Sequence, residues 1–389
     1  MRALRVELRI RLVRVGHHLG ARLPLQRRVV LATAHAPRIG GNLVAIRDEI
    51  ARRHPGVRIT VVADSPGGGI GGKLRAATAA VVAGYLLARA RLFIVDDYFF
   101  PVYVVQPRRG TRTVQVWHAS GAFKKMGHSL TGKTFGADAA LRSRVRIHAN
   151  YDICLISSRA VLPHYAEAFD QPPERFISHI GIPRTDRFFD ADAVERASAE
   201  VRTRYRLPSD RRVILYAPTF RGDRITDARH SDDLNLHALR RDLSEDHIVL
   251  VRLHPFVRAR PRIGPELAGF VHDVSDHPDI NALMLVSDLL VTDYSSAIFE
   301  FSLLGRPMAF FAPDLDAYER ERGFYFDYRS GVPGPVFTET DALARWIREG
   351  PVDLERIRRF RDASFEIADG QASRRFVDEV VIPALRSGT

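Results

Sequence analysis

Short apolar runs alternate with stretches of helical periodicity along this whole chain, and that alternation leaves little freedom in the fold. A strand buried on both faces reads as a continuous apolar run, and parallel strands need a helical crossover between them. The pattern is that of parallel α/β domains. In the first half the strand-like runs are Val29–Thr33, Ile59–Ala63, Leu92–Asp96, Thr113–Trp117 and Ile153–Ser157. Amphipathic segments such as Asn42–Arg53 and Lys73–Arg89 lie between them. GIPRTDRFF, residues Gly181–Phe189, breaks the rhythm, and a charged helix is expected over Ala191–Tyr205. A second series follows at Val213–Tyr216, Ile248–Arg252, Phe270–Asp273, Leu289–Thr292 and Met308–Phe311. With 389 residues the chain is long enough for two domains. We place the boundary near Asp186–Ala191, giving domains over 1–188 and 189–389, with the last helix free to pack back on the first. Two doubly wound sheets facing each other leave a cleft along the carboxyl ends of their strands, where ligands bind.

The most informative single stretch is Leu289–Phe311, LLVTDYSSAIFEFSLLGRPMAFF. It reads as strand, turn, helix, strand, with Ser295 and Ser296 where the helix begins. A helix start presents unpaired N–H groups and partial positive charge, so two hydroxyls there suit a phosphate or diphosphate. The bland alternative is simple helix capping. Thr292 and Asp293 close the strand in the same turn. Glu300, one turn on, could reach a ribose, or be a helix residue with no ligand.

Three other strand ends carry cations or imidazoles. VQVWHASGAFKKMG, residues Val114–Gly127, puts His118 just past a strand, where a general base belongs. Lys124 and Lys125 follow, either facing phosphate or forming a solvated face. VLVRLHP, residues Val249–Pro255, brings Arg252 and His254 to a strand end, able to hold a phosphate and donate to it. YAPTFR, residues Tyr216–Arg221, points Arg221 toward the same rim. Each is also consistent with an ordinary packed loop; together they form an anion-binding constellation. Asp314–Tyr328, DLDAYERERGFYFDY, has the mix of acids, arginines and aromatics expected of a loop over a nucleotide, or of a surface loop packed by its own rings.

Several chemistries are excluded. The single Cys154 rules out disulfides within the chain and cysteine-built metal sites. No H-E-x-x-H, spaced histidine cluster or G-x-S-x-G elbow occurs, so neither a metal nor a hydrolase nucleophile is expected. Gly67–Leu74, GGGIGGKL, imitates a P-loop, but Leu74 stands where Mg²⁺ binding needs Ser or Thr, so a flexible loop is expected. No run reaches the roughly 18 apolar residues of a membrane span. The formal charge of +12 favours anionic partners, although only four of the 58 basic residues are Lys, a skew that a GC-rich genome also produces. No motif supports nucleic-acid binding. Met1–Arg28 lacks the clean apolar core of a secretory signal. At helical spacing Leu4, Leu8, Leu12, Val15 and Leu19 form a stripe flanked by arginines, fitting either an interfacial helix on an anionic leaflet or a helix packed on the domain. The alternation over Leu4–Leu12 also permits a strand.

WHASGAFKKMG, GIPRTDRFF, YAPTFR, RLHP, SDLLVTDYSSAIFEF and RGFYFDY occur in that order. The succession resembles the CDP-glycerol glycerophosphotransferase family, the teichoic acid primases and polymerases, from about Leu92 to Tyr328. The resemblance implies a GT-B-like fold of two Rossmann-like domains, acceptor side first and nucleotide donor second. It implies His118 as the acceptor-side base and His254 as a contact to the donor phosphates. It places Arg221, Ser295 and Ser296 at donor-binding positions, and Asp293 at an acidic residue of the same turn. The departure lies after the Trp–His pair, where Ala119, Ser120, Gly121 and Ala122 replace a WHGTP-like run, which bears on the acceptor.

The implied reaction moves a polyol phosphate, glycerol before ribitol, from CDP-glycerol or CDP-ribitol to a hydroxyl of a lipid-linked or polymeric acceptor, releasing CMP, with no cofactor. The implied place is the cytoplasmic face of the cell membrane, as a peripheral protein. Two rivals stay open: a GT-B glycosyltransferase using a nucleotide sugar, and a non-catalytic relative that binds membrane or polymer.

Overall fold

The computed structural model describes residues 2–386 apart from 35, 64–68, 131–138, 223–226, 232 and 262. All ten expected apolar runs are strands. The first sheet contains β1 (Gln26–Thr33), β2 (Arg58–Ala63), β3 (Ala90–Val95), β4 (Arg112–Gln115), β5 (Ile153–Leu155) and β6 (Phe176–Ile177). The second contains β7 (Arg212–Tyr216), β8 (His247–Val251), β9 (Val271–Asp273), β10 (Leu289–Thr292), β11 (Met308–Phe311) and β12 (Val336–Phe337). Only β6 and β12 escape sequence reading. Each is two residues long, too short to carry a period.

Every pairing is parallel. The orders are β2-β1-β3-β4-β5-β6 and β12-β11-β10-β7-β8-β9. Both are doubly wound α/β sheets of the Rossmann kind. In the first the order reverses between β1 and β3, in the second between β7 and β10. A crevice opens at such a reversal, beyond the carboxyl ends of the strands. Thr33 and Asp96 flank the first crevice; Ala217–Arg221 and Thr292–Ser296 flank the second. Buried strands such as β8, whose five residues are all buried, supply the core by area removed from water.

Two local expectations are corrected, and of the two readings of the N-terminal segment the helix holds, over Arg2–Ala21, not the strand. It lies against the helix Gly69–Arg89 with backbones nearly touching: a Cβ on Gly16 would stand 1.9 Å from the Val81 carbonyl oxygen, and one on Gly84 2.1 Å from that of Val13. The helix Gly69–Arg89 also begins inside the glycine-rich stretch read as a loop, because the alanine-rich helix behind it extends forward; Gly67 and Gly68 lie outside the described residues. Asp314–Tyr328 is not one open loop: Leu315–Glu321 is helical, and Tyr318, Phe324 and Tyr328 are buried. At the far end, Ala372–Phe376 packs on the first-half helix Gly41–Arg53, returning the chain to the first sheet.

Candidate active site

β4 stops at Gln115, two residues before the expected end, because Trp117 adopts φ +48°. A bulky residue in the left-handed region costs about 1–3 kcal/mol and needs surroundings that fix it. Those surroundings are present. Gln115 Oε1 accepts from the Trp117 N–H at 2.8 Å. Asn42 Nδ2 donates to the carbonyls of Val116 and Trp117, both at 2.9 Å. The buried indole packs edge-on against Phe169 and stacks on the His118 ring at 4.5 Å. The kink swings His118 out of the sheet, leaving its side chain 51% exposed.

His118 Nδ1 lies 3.4 Å from Asp97 Oδ2 and 3.3 Å from the Asp96 carbonyl oxygen. Two oxygens at Nδ1 assign the proton to that nitrogen and leave the lone pair on Nε2, on a ring that is half exposed. That is the arrangement of a base oriented by a carboxylate. Burial, and then the neighbouring Asp97, push the Asp96 carboxyl up to about 6. Its Oδ1 is buried with no hydrogen-bond partner. Sequence reading passed over these two acids, although a VDDY ending on an apolar run was a visible signal.

Past the end of β8, His254 is half-buried, with ring centroids of Phe220 and Phe256 at 4.9 and 4.7 Å. Its Nδ1 accepts from the Phe256 N–H at 3.2 Å, so Nε2 carries the proton. Burial, then the charges of Lys124, Arg252, His118 and Arg322, lower its pKa to about 3. His254 is therefore a neutral hydrogen-bond donor at physiological pH. Lys124 and His118 come from the first half of the chain, so charge on that half reaches the His254 ring on the second.

The remaining strand-end residues are held by the protein itself. The Arg221 guanidinium meets Asp293 Oδ2 at 2.9 Å and Asp314 Oδ2 at 2.5 Å, between the rings of Tyr294 and Tyr318. Asp293 also accepts from the Thr219 N–H at 2.8 Å and the Tyr294 N–H at 2.6 Å. Thr292 Oγ1 donates to the Ala217 carbonyl at 2.7 Å. Arg252 Nη1 donates to the carbonyls of Leu253 and Ser275 at 3.0 and 3.1 Å. These groups shape the wall of the second crevice. Ser295 Oγ accepts from the Ala297 N–H at 3.2 Å, whereas Ser296 makes no capping bond; both are half-buried. A cavity of about 490 Å³ opens beside Arg221, lined also by Asp314, Tyr318 and Arg322.

The unusual run after the Trp–His pair lies where the halves meet. A Cβ on Gly121 would stand 2.2 Å from the Phe299 ring. Phe123 stacks on Phe326 at 5.2 Å, and the Lys125 N–H donates to the Gly323 carbonyl at 3.1 Å. Glu300, read as a ribose contact or an idle helix residue, is buried in an ion pair with Arg184.

The profile of the CDP-glycerol:poly(glycerophosphate) glycerophosphotransferase family matches residues 18–382. The chain is 37% identical over 363 residues to a teichoic acid ribitol-phosphate primase of Bacillus spizizenii, covering 92% of each. It is 38% identical over 300 residues to a teichoic acid poly(ribitol-phosphate) polymerase of the same organism, covering 77% of this chain and 48% of the polymerase. The chain thus spans about half the length of that polymerase. Among solved structures, the wall teichoic acid polymerase TagF shares the fold with a TM-score of 0.77 at 23% identity, covering 99% of this chain and 98% of TagF.

Proposed function

This chain belongs to the CDP-glycerol:poly(glycerophosphate) glycerophosphotransferase family, and from that membership we propose which of its groups carry the transfer of a polyol phosphate from a CDP-linked donor, with release of CMP. His118 Nε2 takes the proton of the acceptor hydroxyl. The freed oxygen attacks the β-phosphorus, the bond from that phosphorus to the bridging oxygen breaks, and CMP leaves. His254 Nε2–H donates to the diphosphate as charge builds on it. Lys124 and the helix start at Ser295 and Ser296 add positive potential. Transfer of this kind depends on positioning and electrostatic stabilisation more than on covalent chemistry. What supports the reading is a pair of imidazoles from the two halves of the chain, His118 with Nδ1 turned to Asp97 and the Asp96 carbonyl, His254 neutral with Nε2–H to donate and within reach of the charge on His118.

A donor panel tests it. Purified protein with CDP-glycerol, CDP-ribitol and UDP-sugars, and a lipid-like acceptor, should release CMP from one or both CDP-polyols and extend the acceptor by mass spectrometry. Transfer from a UDP-sugar alone would overturn the reading.

The acceptor is proposed to be lipid-linked, met on the cytoplasmic face of the membrane. Among the described residues no helix is long and apolar enough to cross a bilayer. Instead the helix Arg2–Ala21 buries Ile10 and Val13 while exposing Leu4, Leu8, Val15 and Leu19 beside Arg5, Arg11 and Arg14. An apolar stripe flanked by arginines suits an anionic interface. Leu8→Glu with Leu19→Glu, both exposed positions, should leave the fold intact and reduce pelleting with phosphatidylglycerol vesicles at least severalfold. Equal pelleting of variant and parent would retire this surface.

A further inference from the structure

GIPRTDRFF and Glu300 stand out in the sequence, yet the chemistry above gives neither a role. In the structure both reach the corner that carries His118. Arg184 Nη1 donates to the His118 carbonyl at 2.7 Å. The Arg184 N–H donates to Asn42 Oδ1 at 3.0 Å, and Asn42 in turn holds the carbonyls of Val116 and Trp117. Three successive carbonyls around the strained Trp117 are thus held directly or indirectly by Arg184. The second terminal nitrogen, Nη2, pairs with Glu300 Oε1. Ser120 Oγ donates to the same oxygen at 2.5 Å. The Glu300 side chain is 3% exposed. It stands on the helix Ala297–Ser302, directly after Ser295 and Ser296.

We propose that Arg184 and Glu300 are positioning residues that hold the base: they fasten the His118 corner of the first half to the donor-side helix of the second. A buried carboxylate is costly unless paired and hydrogen-bonded, and here all the described partners of Glu300 lie on the base's side. The planar guanidinium grips a carbonyl and a carboxylate through two nitrogens held in a rigid fork; a lysine ammonium, with its three donors on one atom, does not reproduce that spacing. The His118 ring is therefore aimed only while the donor-side helix is in register with the first half.

The proposal rests on His118 being the base, and the test separates the two. Glu300→Gln and Arg184→Lys should each lower kcat about tenfold, the scale of a small misplacement of a catalytic group, with donor KM within about twofold of the parent. In the His118→Ala background, Glu300→Gln should add nothing, because residues acting through one group are not additive. If both variants keep parental kcat, or if Glu300→Gln still costs tenfold without His118, the positioning role is overturned. Parental turnover by His118→Ala would instead sink the base assignment. If circular dichroism shows Glu300→Gln unfolded, Arg184→Lys, which keeps a cation against Glu300, decides the matter.

Discussion

Replacing His118 with alanine should lower turnover by ~10²-fold or more while leaving donor binding nearly intact, the scale of losing a general base. The asymmetry follows from where the imidazole stands. Its Nδ1 is occupied by Asp97 and the Asp96 carbonyl, so the lone pair is left on Nε2. Of the two sheets, it belongs to the first, whereas the serines and His254 sit at the strand ends of the second. Removing it therefore takes away proton acceptance without touching the wall of the second crevice. The Trp117 corner should survive, because Gln115, Asn42 and Arg184 hold it through backbone atoms rather than through the ring. CMP release under saturating donor and acceptor gives the rate; calorimetry with CDP-glycerol and CDP-ribitol gives the affinity. Turnover like that of the parent would remove His118 from the reaction. A large loss of donor affinity would move it to the donor side.

The contrast between these histidines and their supports shows what a sequence can disclose. Parallel strands buried on both faces announce themselves as apolar runs, and a polar residue just past such a run stands at the ligand-binding edge. The positions of His118 and His254 past β4 and β8 were legible for that reason. Asn42, Arg184 and Glu300 were not, since their roles arise from pairings across 74, 66 and 116 residues of chain. Thr292, Asp293, Arg221 and Arg252 also sit at strand ends, and in the structure they bond to one another and to the main chain. A strand end needs polar residues to satisfy its own backbone as well as to meet a ligand. In Asp314–Tyr328 the reading of a segment packed by its own rings came nearer: Tyr318, Phe324 and Tyr328 pack on one another and on Tyr294, with Tyr318 stacked on it at 3.8 Å.

Replacing His254 with alanine should cost ~10²–10³-fold in kcat, the range found when one preorganised donor to a developing anion is lost. In the proposed mechanism the ring serves donation rather than proton transfer. The Phe256 N–H occupies Nδ1, and two phenylalanine rings fix its plane. Burial, aided by surrounding cations, lowers its pKa from 6.5 to about 3. It therefore stays neutral, with Nε2–H available, throughout the working pH range. An acid limb in the rate profile anywhere above pH ~4 must then belong to another group, and His254→Ala should keep that limb at reduced height. Stability follows with a definite sign. Between about 3 and 6.5 the unfolded chain binds a proton at His254 that the folded chain refuses, so this residue makes the protein less stable as pH falls through that window. Melting curves at pH 7 and pH 4 should therefore lie closer together in His254→Ala than in the parent. If the variant instead abolished the acid limb, His254 would be titrating during turnover, and a neutral donor could not be its role.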